Sequence, residues 1–216
     1  TTTTTTTTTT LAPRTWVQIQ RAASLNNRSN TTYMRGDSHQ DWAGWSISQS
    51  ANGSVVALGM PKWGDNNRGG VKVFAWTGNY WKQMGTVLEG RSGSNAVSDE
   101  EFGYNVSLSD DGKTLAVGSF RDNYVKVYRW RQSYNNWSNQ FEFKDIHDIM
   151  TSRGLVTPAE PVLSGDGNVL AVAVPYERIL VGNQLTGGKV NIYALKDIGS
   201  FKAGDLISSL DFDDVA

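Results

Sequence analysis

Two histidines, His39 and His147, and no cysteine are what this sequence offers for nucleophilic or metal chemistry. Without thiols there is no disulfide, no thiol nucleophile and no thiolate metal site. Two imidazoles are too few for a multi-histidine zinc centre, and a Ser-His-Asp arrangement would rest on one of them. His147 stands in Asp145-Ile146-His147-Asp148, a spacing that could poise a base or a ligand. On a surface the same residues are simply solvated charges. Asp99-Glu100-Glu101 and Asp110-Asp111 could do acid–base work. The first group precedes a strand and the second belongs to a hairpin turn, so loop chemistry accounts for both. The expectation is a chain that is not an enzyme.

Residues that could stack or carry sugar are more plentiful. Trp42, Trp45, Trp63 and Trp81 could each lie against a sugar ring, although tryptophans so spaced more often pack a core. Trp63 stands in a loop without a counterpart elsewhere in the chain, so it is the ligand candidate. Five glycosylation sequons occur, at Asn27, Asn30, Asn52, Asn105 and Asn136. Asn27 and Asn30 share a polar loop, and Asn52 falls in a tight turn. Arg35-Gly36-Asp37 is a tripeptide that can serve adhesion in matrix proteins, and it lies on the same polar loop. The chain opens on Thr1, Thr2, Thr3, Thr4, Thr5, Thr6, Thr7, Thr8, Thr9 and Thr10. Such a tract has no apolar face and builds no core; it reads as a flexible linker or an O-glycosylated stalk.

Charge narrows the partners. Lys and Arg number 20 against 21 Asp and Glu, for a net charge of −1. That balance argues against a nucleic-acid binder, and no apolar run is long enough to span a membrane. The chain begins with Thr rather than Met and shows no signal peptide, so it reads as processed or as part of a longer protein.

These residues are carried on a repeat. The first copy runs Gly44-Trp45-Ser46-Ile47-Ser48, then Asn52-Gly53-Ser54-Val55-Val56-Ala57-Leu58-Gly59, then Val71-Lys72-Val73-Phe74-Ala75-Trp76. The second runs Phe102-Gly103-Tyr104-Asn105-Val106-Ser107-Leu108-Ser109, then Asp111-Gly112-Lys113-Thr114-Leu115-Ala116-Val117-Gly118, then Val125-Lys126-Val127-Tyr128-Arg129-Trp130. The third holds Ser164-Gly165-Asp166-Gly167-Asn168-Val169-Leu170-Ala171-Val172-Ala173 and Val190-Asn191-Ile192-Tyr193-Ala194-Leu195. Gly53, Gly112 and Gly167 are 59 and 55 residues apart.

Each copy predicts an alternating strand, an Asx-Gly turn, a strand buried on both faces, a loop, and a third alternating strand. Tyr80-Trp81 and Asn136-Trp137 would start a fourth strand, and Ala203–Leu210 would supply an outer strand of the third copy. The fold class is therefore all-β. We expect about three four-stranded antiparallel meanders packed as propeller-type blades, with Trp16-Val17-Gln18-Ile19 as the last strand of another blade. Three copies are too few to close a propeller. The organisation expected is a threonine-rich linker or stalk over 1–14, blades over 15–210 and an acidic end over 211–216.

The pattern resembles the FG-GAP repeat, the blade unit of integrin α-subunit propellers, over roughly Trp16–Leu210. Phe102-Gly103 stands where that family has its FG. Leu115-Ala116-Val117-Gly118, Ala57-Leu58-Gly59-Met60-Pro61 and Val172-Ala173-Val174-Pro175 stand at its second strand. Ala43-Gly44 replaces FG in the first copy, and the third copy lacks it. The unit looks most like the variant in secreted and surface proteins of algae and other protists. Many blades of this family hold Ca²⁺ in a D-x-D-x-D-G loop, and the resemblance places Asp65, Asn66 and Asn67 there, with Arg68 where a further oxygen would help.

Together these features lead to a non-enzymatic structural or interaction protein of a cell surface, wall or extracellular filament. Its partners would be other protein chains, in homo- or hetero-assembly, and possible glycans. The alternatives are a lectin-like carbohydrate-binding module and a subunit of a large intracellular or organellar complex.

Overall fold

A computed structural model describes residues 34–91, 99–121, 124–143, 160–174 and 188–211. Within them every helical element is a three-residue 3-10 turn, at Asp65–Asn67 and Gln132–Tyr134, and the rest of the regular structure is strand. The strands form three antiparallel sheets, one for each sequence copy. The first holds β1 (Ile47–Gln49), β2 (Val55–Met60), β3 (Gly70–Trp76) and β4 (Trp81–Gln83), with β5 (Leu88–Glu89) returning to pair with β3. The second holds β6 (Asn105–Leu108), β7 (Thr114–Gly118), β8 (Val125–Arg131) and β9 (Asn136–Phe143). The third holds β10 (Glu160–Leu163), β11 (Val169–Val174), β12 (Lys189–Ala194) and β13 (Leu206–Asp211). The expected meanders are present. The two-residue β5 and the position of β10 were not legible, the latter because its sequence is Glu-Pro-Val-Leu without an FG before it. Proline is tolerated in a strand at the edge of a sheet, and β10 is one.

The first hairpin turn has the same construction in every sheet. Gly53, Gly112 and Gly167 sit at φ 68°, 67° and 66°, in the left-handed region where glycine has no Cβ penalty. Their N–H groups donate to the carbonyls of Ser50, Ser109 and Ser164. Each serine hydroxyl donates to the side-chain oxygen of Asn52, Asp111 or Asp166, at 2.9, 2.7 and 2.6 Å. Each also accepts the N–H of Val55, Thr114 or Val169 at 3.0 Å. Ser-x-Asn/Asp-Gly is thus a self-contained Asx turn that fixes strand register.

Consecutive sheets are joined at their inner strands by the same two bonds. The Leu108 N–H donates to Ser48 Oγ, and the Leu163 N–H donates to Ser107 Oγ, both at 2.9 Å. The Ala51 N–H donates to the Asp110 carbonyl at 3.0 Å, and the Asp110 N–H donates to the Gly165 carbonyl at 2.8 Å.

Apolar side chains fill the gaps on either side of the second sheet. Val55, Ala57, Val71 and Val73 meet Phe102, Leu115, Val117 and Tyr128 in one cluster. Ala116, Val125 and Val127 meet Leu163, Leu170 and Val172 in the other. β2 and β7 are buried along their whole length, as expected of central strands. β11 departs from that expectation: Ala171 and Ala173 are half-buried, and Val162 beside them is 61 % exposed. No further sheet among the described residues covers that face.

Phe102-Gly103 acts at the first of these gaps. Phe102 is fully buried and stacks on Tyr124, with ring centroids 5.9 Å apart. Gly103 lies at φ 85°, and a Cβ there would come within 2.5 Å of the Gly70 carbonyl oxygen. Ala43-Gly44 occupies the equivalent place: the Gly44 N–H donates to Gly59 as Gly103 does to Gly118.

Candidate interaction site on the loop face

The end of the sheets opposite the Asx turns carries the segments before β1 and β6 and the loops after β2 and β7. These bring four aromatic rings into one run. Trp42 stacks on Trp45 with centroids 5.3 Å apart and planes 25° apart. Trp45 meets Tyr104 at 5.3 Å, and Tyr104 stacks on Phe120 at 4.7 Å. Trp45 and Tyr104 are repeat-equivalent, each following the positive-φ glycine of its copy. The run therefore arises from packing two copies side by side.

Trp42 shares a left-handed turn conformation with Glu101, its equivalent in the second copy at φ 54°, and puts an indole there. Its φ is 55° and it is 48 % exposed. A bulky residue at positive φ is an outlier that costs about 1–3 kcal/mol, and it persists only where neighbours enforce it. Here the Trp45 N–H donates to the Trp42 carbonyl at 3.0 Å. The preceding Asp41 is buried and accepts the N–H groups of Asp37 and Ser38, both at 2.7 Å. Lys62 Nζ lies 5.2 Å from the Trp42 ring centroid and is ion-paired with Glu101. Trp45 is 50 % exposed, so both indoles are about half open to solvent. Burial, with the charges of Glu101 and Glu160 behind it, raises the Tyr104 pKa, and its hydroxyl stays a neutral donor at ordinary pH. The site is an aromatic ridge beside an internally neutralised ion pair. It can bury apolar surface and offer hydrogen bonds at its rim, the make-up of an interface anchor.

Trp63, the ligand candidate from the sequence, is occupied within the first sheet. Its indole N–H donates to Asp37 Oδ2 at 2.8 Å, the Arg68 guanidinium lies 5.4 Å from its ring, and Gly70 sits against it. Trp81 is buried, paired across the hairpin with Trp76 at 5.5 Å. Exposed indole surface is therefore found at Trp42 and Trp45 instead. The Arg35-Gly36-Asp37 triplet is held too: Asp37 pairs with Lys72 Nζ at 2.6 Å. Hydrogen bonds from Lys72 and then Trp63 pull the Asp37 carboxyl below its usual value. His39 is exposed on the same loop, beside a cavity of about 460 Å³ lined by Arg35, Ser38 and their neighbours.

The acidic group before the second copy serves as a joint. Glu100 is fully buried, accepts the Tyr124 hydroxyl and takes the Arg91 N–H at 3.0 Å. Asp99 accepts from Asn67 Nδ2 at 2.6 Å. The Asp65–Asn67 turn does not fit Ca²⁺. Its backbone carbonyls accept the N–H groups of Arg68, Asp99 and Glu101, and the Asn67 amide is turned to Asp99. One exposed carboxylate and the Asn66 amide remain, against the six to eight oxygens the ion takes. No group of three or more acidic, histidine or cysteine residues gathers among the described residues.

Among the sequons, Asn52 and Asn136 are exposed, and Asn105 is half-buried in β6 at the position equivalent to Ser46. In the first sheet Ser46 reaches across to the Gly103 carbonyl at 2.8 Å. The threonine tract, Asn27, Asn30, the Trp16–Ile19 strand, His147 and the segment 212–216 lie outside the described residues.

No family model and no curated protein sequence matches the chain. Solved structures do. Saccharomyces cerevisiae Sqt1 aligns at a TM-score of 0.50 with 15 % identity, over 86 % of this chain and 40 % of its own. The RRP9 WD40 repeats align at 0.47 with 14 % identity, over 82 % and 40 %. The Pseudomonas aeruginosa periplasmic gluconolactonase PpgL aligns at 0.46 with 18 % identity, over 77 % and 39 %. The chain spans about two-fifths of the length of these structures. The sheets are β-propeller blades. At these identities the likeness concerns the fold, and no helix among the described residues is long and apolar enough to cross a membrane.

Proposed function

We propose that this protein is a non-enzymatic interaction scaffold of a cell surface, wall or extracellular filament. Its propeller blades receive a protein partner on the Trp42–Trp45–Tyr104–Phe120 ridge. The observation that carries the reading is Trp42, which leaves half of its indole in water while stacked on the equally exposed Trp45. The positive φ belongs to the repeat, since Glu101 at the equivalent position has φ 54° and its carbonyl likewise accepts the Tyr104 N–H; what a partner would cover is the exposed indole placed there. The extracellular placement rests on the sequons, two of which stand exposed at Asn52 and Asn136, and on the threonine-rich arm. Membership of the FG-GAP group is proposed on Phe102-Gly103 and its use as the plug between blades.

The test uses the chain and a Trp42→Ala/Trp45→Ala variant as baits in an extract of the native source. A protein retained by the first and lost by the second is then prepared pure and titrated against both. Equal retention by the two baits would overturn the ridge as the binding site. Saturable binding on a glycan array, abolished in the variant, would favour the lectin-like reading that two exposed indoles also permit. Bare sequons and a bare threonine tract in the native protein would remove the extracellular placement and favour a subunit of an internal complex.

A further inference from the structure

The aromatic ridge carries hydrogen-bond donors that the fold leaves unused. Among the described residues, the indole N–H groups of Trp42 and Trp45 and the hydroxyl of Tyr104 donate to no protein acceptor. Indoles elsewhere spend theirs: Trp63 donates to Asp37 Oδ2 at 2.8 Å and Trp130 to Gln132 Oε1 at 3.0 Å. The acceptors around the ridge are engaged. The Glu101 carboxylate holds Lys62, the Trp42 and Glu101 carbonyls accept the Trp45 and Tyr104 N–H groups, and the Gly103 carbonyl accepts the Ser46 hydroxyl. An incoming segment therefore meets apolar ring surface and donors.

A complementary partner is apolar, rich in acceptors and poor in donors. A glycan does not match, because each of its hydroxyls is also a donor that needs an acceptor. An amphipathic helix keeps its carbonyls in its own i→i−4 bonds, so the ridge donors would be covered without partners. Strand addition needs a backbone edge, and the ridge is built of side chains. A polyproline II segment matches: proline has no N–H, its carbonyls make no internal bonds, and its rings are apolar. Being preformed, it also loses little freedom on docking. We propose that the ridge recognises an extended proline-rich segment of its partner. Its prolines lie against the Trp42 and Trp45 indoles, and its backbone carbonyls accept from their N–H groups and from the Tyr104 hydroxyl. This rests on the ridge being the partner site proposed above and adds what the partner must present there.

The probe is a fluorescently labelled oligoproline peptide, titrated into the full chain by anisotropy. A glycine–serine peptide of equal length and an N-acetylglucosamine oligomer serve as competitors. Saturable binding of the proline peptide is expected, displaced by neither competitor and abolished in Trp42→Ala/Trp45→Ala. Trp42→Phe/Trp45→Phe keeps two aromatic rings and removes both indole donors, and two such hydrogen bonds correspond to about tenfold in affinity. That variant is expected to keep the far-ultraviolet circular dichroism of the unmodified chain and to bind about tenfold more weakly. Absence of saturable binding, equal affinity for the glycine–serine peptide, or undiminished binding by the phenylalanine variant would overturn the proposal. Displacement by the sugar oligomer would overturn it as well and give the ridge to a glycan. Failure of the ridge itself reads differently. A captured partner that the alanine variant loses, with no affinity for the proline peptide, removes proline recognition and leaves the ridge as the partner site. Equal retention by both baits removes the ridge as the partner site.

Discussion

The hydroxyl of Ser107 accepts the Leu163 N–H across the gap between the second and third blades at 2.9 Å, as Ser48 does for Leu108 between the first and second. A side chain on one inner strand thus satisfies the backbone of the next. Leu163 is buried, so in Ser107→Ala its N–H loses its acceptor out of reach of bulk water. The expected cost is about 1–3 kcal/mol, read as a lower urea midpoint with an unchanged slope. Ser48→Ala is expected to behave alike. An unchanged midpoint in both would mean that apolar contact alone holds the blades together.

The Asx turns give a graded prediction. Gly53 and Gly112 share a φ near 67°, so alanine strains either backbone by about 1–2 kcal/mol. A Cβ at Gly53 meets nothing within 4 Å, whereas one at Gly112 comes within 2.7 Å of the Val55 Cβ on the neighbouring blade. Gly112→Ala should therefore lower the thermal midpoint more than Gly53→Ala. Equal losses would show that the blade gap gives way freely at that point.

The turn of the third blade contributes its own acid sensitivity. Hydrogen bonds from Ser164 and Asn168 hold the Asp166 carboxyl at about 2, below its ordinary 3.8. A depressed carboxyl stabilises the fold above its unfolded value, and that contribution is lost as pH falls through the folded one. The window runs from pH 3.8 down to about 2. Asn52 does the same work in the first blade, its oxygen accepting from Ser50 and from the Ser54 N–H. Asp166→Asn should then match the unmodified chain at neutral pH and lose less stability across that window. Parallel midpoint-against-pH curves would contradict this assignment.

These turns were legible in the sequence because their chemistry is local: serine, Asx and glycine within four positions specify the bonds they make. The buried second strands were legible for the same reason, as short apolar runs following the turn. What depends on juxtaposition was not. Trp45 and Tyr104 can be aligned from the repeat, yet nothing in either copy says that they stack until the copies pack. Trp63, isolated in its loop, looked available, and Asp37 from a distant segment and Arg68 from the same loop occupy it. The positive φ of Trp42 is not announced by its residue type either; it belongs to the turn before β1 and β6, shared with Glu101 and closed by the same bond in both copies.

Trp42 also allows binding and stability to be separated. Trp42→Gly removes a strained φ worth about 1–3 kcal/mol. Against that it gives up an aromatic pair worth about 0.5–1.5 kcal/mol and an exposed cation–π contact of about 0.5–1 kcal/mol. The covered half of the indole loses its burial as well, and glycine adds a loss of backbone freedom, so the denaturation midpoint should fall, by less than in Phe102→Ala, while partner binding is lost. Phe102→Ala is the contrast: its ring is fully buried between blades, and truncation there costs about 3–5 kcal/mol. Measuring both variants by urea denaturation and by titration with the captured partner distinguishes a ring kept for recognition from one kept for packing. If Trp42→Gly destabilised the chain as far as Phe102→Ala, Trp42 would belong to the core, and the ridge would no longer be a binding site.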